Sequence, residues 1–209
     1  MKLKICGMTS FEQLQKLGQL GVDFAGLIFY ENSKRFVGNK LNSRKSGIRN
    51  LQIKKVGVFV NAGIDQVGKE VKEYGLSYVQ LHGDESVEFC KALRNFVSVI
   101  KAIRINEETD LERELTAFEE ACDYLLFDTD SKQYGGGGKQ FNWERLKLSN
   151  ITKPFFLSGG IGLEEVNKLK NFHHPMLFAV DVNSRLEIEP GIKDMDMVKA
   201  FMNALNNVE

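Results

Sequence analysis

The 209-residue sequence is short of several things, and each shortage narrows what it encodes. It has three prolines and no Pro- or Ser-rich linker, so nothing marks a domain boundary, and one unit spanning 1–209 is the economical reading. Its three cysteines, Cys6, Cys90 and Cys122, form an odd set without framework or zinc spacing. That excludes a disulfide scaffold, and it points to free thiols, a reducing compartment and no metal site. Charge of one sign is also lacking: 28 basic and 28 acidic residues cancel. No basic surplus suits nucleic acid or an acidic membrane. No window approaches the roughly eighteen apolar residues of a membrane span, and no apolar run follows Met1-Lys2-Leu3-Lys4. The expectation is a cytoplasmic protein without a signal peptide, with no nucleic-acid or membrane partner.

What is present is 43% hydrophobic and strongly patterned. Eight short apolar runs recur, at Leu3–Cys6, Phe24–Phe29, Lys55–Val60, Tyr78–Leu81, Val97–Ile103, Tyr124–Phe127, Pro154–Leu157 and Leu177–Val182. They are rich in Val, Ile, Leu and Phe without strict alternation, as strands buried on both faces should be. Between them lie stretches of helical period, at Ser10–Leu20, Asp65–Tyr74, Asp84–Phe96, Thr109–Cys122, Leu163–Phe172 and Asp194–Asn206. Asn39–Leu51 and Asn142–Leu148 carry a weaker helical pattern. Ser10 is placed to cap the first helix, and Asp84-Glu85-Ser86 puts acidic residues in a first turn. Strand–helix alternation predicts a parallel sheet. Eight units of about 25 residues fit a closed single-domain (β/α)8 TIM barrel, near its lower size limit. An open doubly wound sheet is the competitor, but Cys6-Gly7-Met8-Thr9 after the first run lacks a dinucleotide fingerprint.

Such barrels gather function at the C-terminal ends of their strands. Here those ends read Cys6-Gly7, then Phe29-Tyr30 leading to Ser33-Lys34-Arg35, Asn61, His82-Gly83, Asp128-Thr129, Ser158-Gly159-Gly160 and Asp181-Val182-Asn183-Ser184. Gly159 and Gly160 run into a helix, and loops seven and eight are the usual phosphate site of the fold. Asn183 and Ser184 join that candidate anion site, while Asp181 is expected to order the loop, because its charge repels phosphate. Tyr134-Gly135-Gly136-Gly137-Gly138-Lys139 follows the sixth strand, and Gly136, Gly137 and Gly138 suit a mobile lid. Cys6 differs from Cys90 and Cys122 in standing at the barrel mouth, where a neighbouring cation would raise its thiolate fraction. Asp128 ends an apolar run, so burial would raise its pKa and suit it to give a proton. His82 reads either as a substrate contact or as a structural histidine. His173 and His174 read as surface residues.

Taken together, the ordered segments resemble the phosphoribosylanthranilate isomerase family. They are Lys4–Thr9, Phe29-Tyr30 with Ser33–Arg35, Val56–Asn61, Val79–Glu85, Leu126–Thr129, the Gly-rich run through Lys139, Leu157–Gly160, Ala179–Val182 and Pro190–Asp194. The resemblance covers nearly the whole chain. It implies a cofactor-free Amadori rearrangement in tryptophan biosynthesis, acting on a small phosphorylated substrate. It also implies Asp128 as general acid, Cys6 as general base and Arg35 as the partner of the anthranilate carboxylate. The chain departs from the family pattern at Gly137, mildly, and at Ser184-Arg185, where Ser followed by Gly is expected. Two rivals remain at this level. An indole-glycerol-phosphate synthase would want a lysine acid at a strand end, and Lys55 and Lys101 sit early or midway in theirs. A non-enzymatic binding barrel would not need Cys6 and Asp128 together. A monomer and a homodimer are equally open.

Overall fold

The apolar runs form parallel strands joined by crossover helices, and the last strand returns to pair with the first. The computed structural model describes residues 1–130 and 140–206, with the backbone alone at Asn39. Its strands are β1 (Lys2–Ile5), β2 (Phe24–Ile28), β3 (Lys54–Phe59), β4 (Tyr78–Leu81), β5 (Ser98–Ile105), β6 (Tyr124–Thr129), β7 (Phe155–Leu157) and β8 (Leu177–Val182). Each pairs with the next, and closure comes from β1 on β8, with Lys2 opposite Ala179 through Ile5 opposite Val182. The closed parallel eight-stranded barrel expected from the sequence is the fold.

Closure explains why the strands lack polar alternation: both faces are buried. Leu3, Ile5, Leu125 and Phe127 face outward into the layer between barrel and helices. Phe24, Val56, Ile100, Ala102, Leu126 and Phe156 fill the interior. Phe24, Tyr78, Tyr124, Phe156 and Phe178 pack edge-on or tilted at the N-terminal end, with ring centroids 4.8–6.0 Å apart. This aromatic plug closes that end, so polar inward residues are left for the other one.

The helices are α1 (Phe11–Gln19), α2 (Gly38–Leu41), α3 (Lys45–Arg49), α4 (Ile64–Tyr74), α5 (Val87–Arg94), α6 (Leu111–Phe118), α7 (Glu144–Leu148), α8 (Val166–Asn171) and α9 (Met195–Asn206). Ser10 caps α1 as expected, accepting from the Gln13 N–H. The weak Asn39–Leu51 segment is α2 and α3 joined by a 3-10 turn. Ser86 caps α5, so Asp84 and Glu85 precede the helix instead of occupying its first turn. Glu85 therefore lies outside that helix, where it accepts from the Asn61 and Gly83 N–H groups and pairs with buried Lys101 at 2.9 Å. The Thr109–Cys122 helix is shorter than its pattern, because Asp110 caps α6 and the helix stops at Phe118. His173 is exposed, but His174 is half-buried, with its Nδ1 accepting from the Met176 N–H and its ring 5.0 Å from Phe155. A hairpin absent from the sequence reading follows β8: β9 (Glu187–Glu189) pairs antiparallel with β10 (Ile192–Lys193). Strands of three and two residues are too short to carry a period, so the hairpin leaves no pattern in the sequence.

Candidate active site

Strand side chains alternate between faces, so an inward residue has inward neighbours two positions away. This rule builds the site. Lys4 and Cys6 point inward from β1, Gln80 and His82 from β4, and Leu126 and Asp128 from β6. At the open end Cys6, Arg35, His82, Asp128, Gly159, Gly160, Asn183 and Ser184 all line one cavity of about 750 Å³, its mouth included. Gly136, Gly137, Gly138 and Lys139 lie outside the described residues. Lys55 and Lys101 are turned away from this cavity: Lys55 donates to the carbonyls of Arg49 and Leu51, and Lys101 to Glu85.

The floor is an ion pair. Lys4 is fully buried, and its Nζ donates to Asp181 Oδ1 at 2.9 Å. Burial opposes the ammonium, but Asp181 and Cys6 beside it outweigh that and raise its pKa. Asp181 is thus committed to a lysine in the barrel, 3.5 Å from Ser158 Oγ. The same carboxylate meets both the buried lysine and the first residue of loop seven.

Cys6 stands just above, its N–H donating to the Val182 carbonyl and extending the β1–β8 pairing by one residue. Gly26 makes room for the thiol, since a Cβ there would lie 2.7 Å from Sγ. Burial pushes the Cys6 pKa up, against the opposing pull of Lys4 and Lys193. A neighbouring cation is present, as a reactive thiol requires, but desolvation outweighs it. Cys90 and Cys122 have no place in the cavity, and burial raises them to about 11 and about 12.

Asp128 is pushed up to about 7, first by burial and then by the Asp181 charge, despite a 2.8 Å bond from the Thr129 N–H. It is thus poised to hold a proton near neutrality. His82 goes the other way, down to about 3, through burial and then the charges of Lys4, Lys101 and Arg104. It is a neutral imidazole. Gln80 donates from Nε2 to His82 Nδ1 at 2.8 Å, which leaves the ring proton on Nε2, 3.5 Å from Asp128 Oδ2.

Arg35, from the loop after β2, meets the β9–β10 hairpin. Its Nε and Nη2 donate to Glu187 at 2.8 and 2.6 Å, and that bonding raises its pKa. Gly7, at φ +75°, passes between Arg35 and Asn183; a Cβ would lie 2.6 Å from each. On the opposite wall Gly159 and Gly160 adopt φ +98° and +67°, which glycine tolerates without strain. Gly159 also packs against Thr129, where a Cβ would come within 2.5 Å of Oγ1. The Gly162 N–H donates to Glu165 Oε2 at 2.7 Å, so it is spent on the following turn and not left for an anion.

The profile of the N-(5'-phosphoribosyl)anthranilate isomerase family matches residues 3–204. The chain belongs to that family. It is 42% identical over 207 residues to the N-(5'-phosphoribosyl)anthranilate isomerase of Parabacteroides distasonis, covering 98% of this chain and 93% of the relative. Among solved structures, monomers generated from the dimeric isomerase of Thermotoga maritima superpose with a TM-score of 0.83 at 32% identity, covering all of both chains. A phosphoribosyl anthranilate isomerase in complex with reduced 1-(o-carboxyphenylamino)-1-deoxyribulose 5-phosphate superposes at 0.80, with 30% identity and full coverage of both chains.

Four residues enter this isomerase-family site without having been singled out by the sequence reading. Lys4 and Gln80 carried a signal, since each stands two positions before a candidate on the same strand. Lys193 lay inside the Pro190–Asp194 segment of the resemblance with no role attached, and Glu187 carried no signal. They come from the hairpin, and only folding brings them to Arg35 and Asn183, where Lys193 Nζ meets Asn183 Oδ1 at 2.8 Å.

Proposed function

We propose that the family's isomerisation is performed here by acid–base chemistry between Asp128 and Cys6, with the whole chain acting as one catalytic unit. The observation that carries this reading is the presence of a carboxyl held near pKa 7 and a thiol beside a buried lysine in one cavity, at the ends of two separate strands. N-(5'-phosphoribosyl)anthranilate enters with its furanose ring closed. Protonated Asp128 gives its proton to the ring oxygen as the C1–O bond breaks, and the nitrogen lone pair forms the C1=N bond of a Schiff base. Cys6, as thiolate, then removes the proton from sugar C2. The C2–H electrons form the C1=C2 bond as the C=N π pair moves onto nitrogen, and the enolamine so formed tautomerises to 1-(2-carboxyphenylamino)-1-deoxyribulose 5-phosphate.

The remaining groups support the two steps. Lys4 stabilises the thiolate across a short, water-poor gap. His82, with its proton on Nε2, is in reach of the carboxylate that Asp128 becomes. Arg35 receives the anthranilate carboxylate. Gly159, Gly160, Asn183 and Ser184 cradle the phosphate, as loops seven and eight do elsewhere in this fold. No resident cofactor is assigned a step.

The chain acts in the cytoplasm, as a monomer or a homodimer; among its described residues, no helix is long and apolar enough to cross a membrane. The direct test is turnover of freshly generated phosphoribosylanthranilate, followed by loss of its anthranilate-type fluorescence. Turnover in the wild type, lowered by orders of magnitude in Cys6→Ala and Asp128→Asn, supports the reading. Wild-type protein that binds but does not convert the substrate overturns it.

A further inference from the structure

The β9–β10 hairpin has no part in the proton transfers, yet it carries a buried charge cluster beside the cavity. Lys193 lies opposite Glu187 in the antiparallel pairing. Its ammonium is fully buried and bonds Glu187 Oε1 at 2.7 Å, along with the Asn183 carbonyl and side chain at 3.1 and 2.8 Å. The same Glu187 Oε1 accepts from the Gly191 N–H at 3.1 Å and from Arg35 Nε at 2.8 Å, while Oε2 takes Arg35 Nη2 at 2.6 Å. The hairpin itself is tied to the start of the barrel. Thr9 donates to the Gly191 carbonyl at 2.8 Å, and the Gln13 side chain exchanges two bonds with the Lys193 backbone at 2.7 and 2.9 Å.

Two features of this cluster bear on Arg35. The first is geometric. Glu187 grips the guanidinium by its Nε–Nη2 edge, so the plane of the fork is set and the edge ending in Nη1 is left for another acceptor. A long arginine side chain without such a grip spreads over several rotamers, and ligand binding must then order it. The second is electrostatic. Two cations, Arg35 and Lys193, share one carboxylate, so the cluster keeps one uncompensated positive charge. That matches one incoming carboxylate. Without Glu187, two neighbouring buried cations would face each other unpaired.

We propose that Glu187 is a positioning residue for Arg35: held in place by Lys193 and Gly191, it orients the guanidinium for the substrate's aromatic carboxylate and links that subsite to the Asn183 loop. The inference rests on the reading of Arg35 given above. Glu187 touches no reacting atom and acts through Arg35 alone.

The experiment is a double-mutant cycle on the full chain with phosphoribosylanthranilate as substrate, comparing Arg35→Ala, Glu187→Gln and the double variant. Gln keeps the shape but removes the charge and replaces one carboxylate oxygen by an NH2 that donates and cannot accept. Arg35→Ala should lower kcat/KM by about 100-fold, and Glu187→Gln by about 10-fold with the larger share in KM. The double variant should match Arg35→Ala within about twofold, because a residue acting through Arg35 has nothing left to act on. Multiplicative losses, or an unchanged KM in Glu187→Gln, overturn the proposal while leaving the Arg35 reading intact. Normal kcat/KM in Arg35→Ala overturns both. If Glu187→Gln fails to fold, Glu187→Asp serves in the same cycle. It keeps the charge but is one methylene short of spanning Arg35 and Lys193, and its loss should again vanish on the Arg35→Ala background.

Discussion

His82 Nε2 stands 3.5 Å from Asp128 Oδ2, while its Nδ1 accepts from Gln80 at 2.8 Å. The glutamine fixes the tautomer, so the imidazole turns an N–H toward the acid. That donor favours the ionised carboxylate. Replacing His82 by Leu should therefore raise the Asp128 pKa above its present value of about 7. A pH titration of kcat/KM in the variant should show the corresponding limb displaced upward, and an unmoved limb would mean that the two groups are not coupled.

The two proposed proton carriers titrate in the reverse of the usual order. Asp128 must be protonated but ionises near 7, and Cys6 must be ionised but is raised above the ordinary thiol range. Only a minor fraction of molecules holds both in the active form at any pH. The profile of kcat/KM should still be a bell, rising to about pH 7, level beyond it, and falling only above the thiol's titration. In Asp128→Asn the limb near 7 should disappear, and the residual rate should climb with pH until Cys6 is ionised. A limb near 7 that persists in this variant would reassign it to another group.

Loss of either proton carrier should cost about 10²–10⁴ in kcat, the range for one general acid or base. Folding should survive both changes, since each substitution is close in size to the residue it replaces. Circular dichroism and thermal unfolding of Cys6→Ala and Asp128→Asn check this beside the fluorescence assay.

Asp128 also predicts a trade between stability and function. Its folded pKa of about 7 exceeds the ordinary value of 3.8, so the native state holds the proton more tightly than the unfolded chain. Its effect on stability is neutral below the ordinary value and grows unfavourable as pH rises through 4 to 7. Asp128→Asn should therefore be more stable than the wild type at pH 7.5, by at most about 4 kcal/mol, and unfold at a higher temperature. The gap should close toward pH 4. Equal midpoints at pH 7.5 would show that burial does not strain this carboxylate.

Gly7 separates Arg35 from Asn183 at φ +75°, with no room for a methyl group. Gly7→Ala should cost about 1–3 kcal/mol of stability through backbone strain. It should also raise KM by displacing Arg35. A variant with wild-type KM and midpoint would show that the loop yields freely there.

Arg185 replaces the glycine expected after Ser184, and it packs over Gly162, where a Cβ would lie 2.9 Å from its own. It lines the cavity beside Ser184, on the proposed phosphate loop. Arg185→Ala should raise KM about threefold with kcat unchanged, the size expected for an exposed charge. Raising the salt concentration should shrink the difference. A KM independent of both changes would leave Arg185 without a role in binding phosphate.

The sequence by itself determined the strand count, the helical stripes and the residues at each strand end. These depend on local periodicity and on what a buried parallel strand must contain, so Cys6, His82, Asp128 and Gly159 could be picked out and the family resemblance stated. Even Lys4 and Gln80 were within reach of the alternation rule. Tertiary structure decided what each of those groups is. The same barrel interior raises Asp128 to about 7, lowers His82 to about 3 and ties Asp181 to Lys4, because burial and neighbouring charge depend on residues far apart in the chain. Arg35 shows this most plainly: its partner Glu187 lies 152 positions away, on a hairpin too short to leave a pattern.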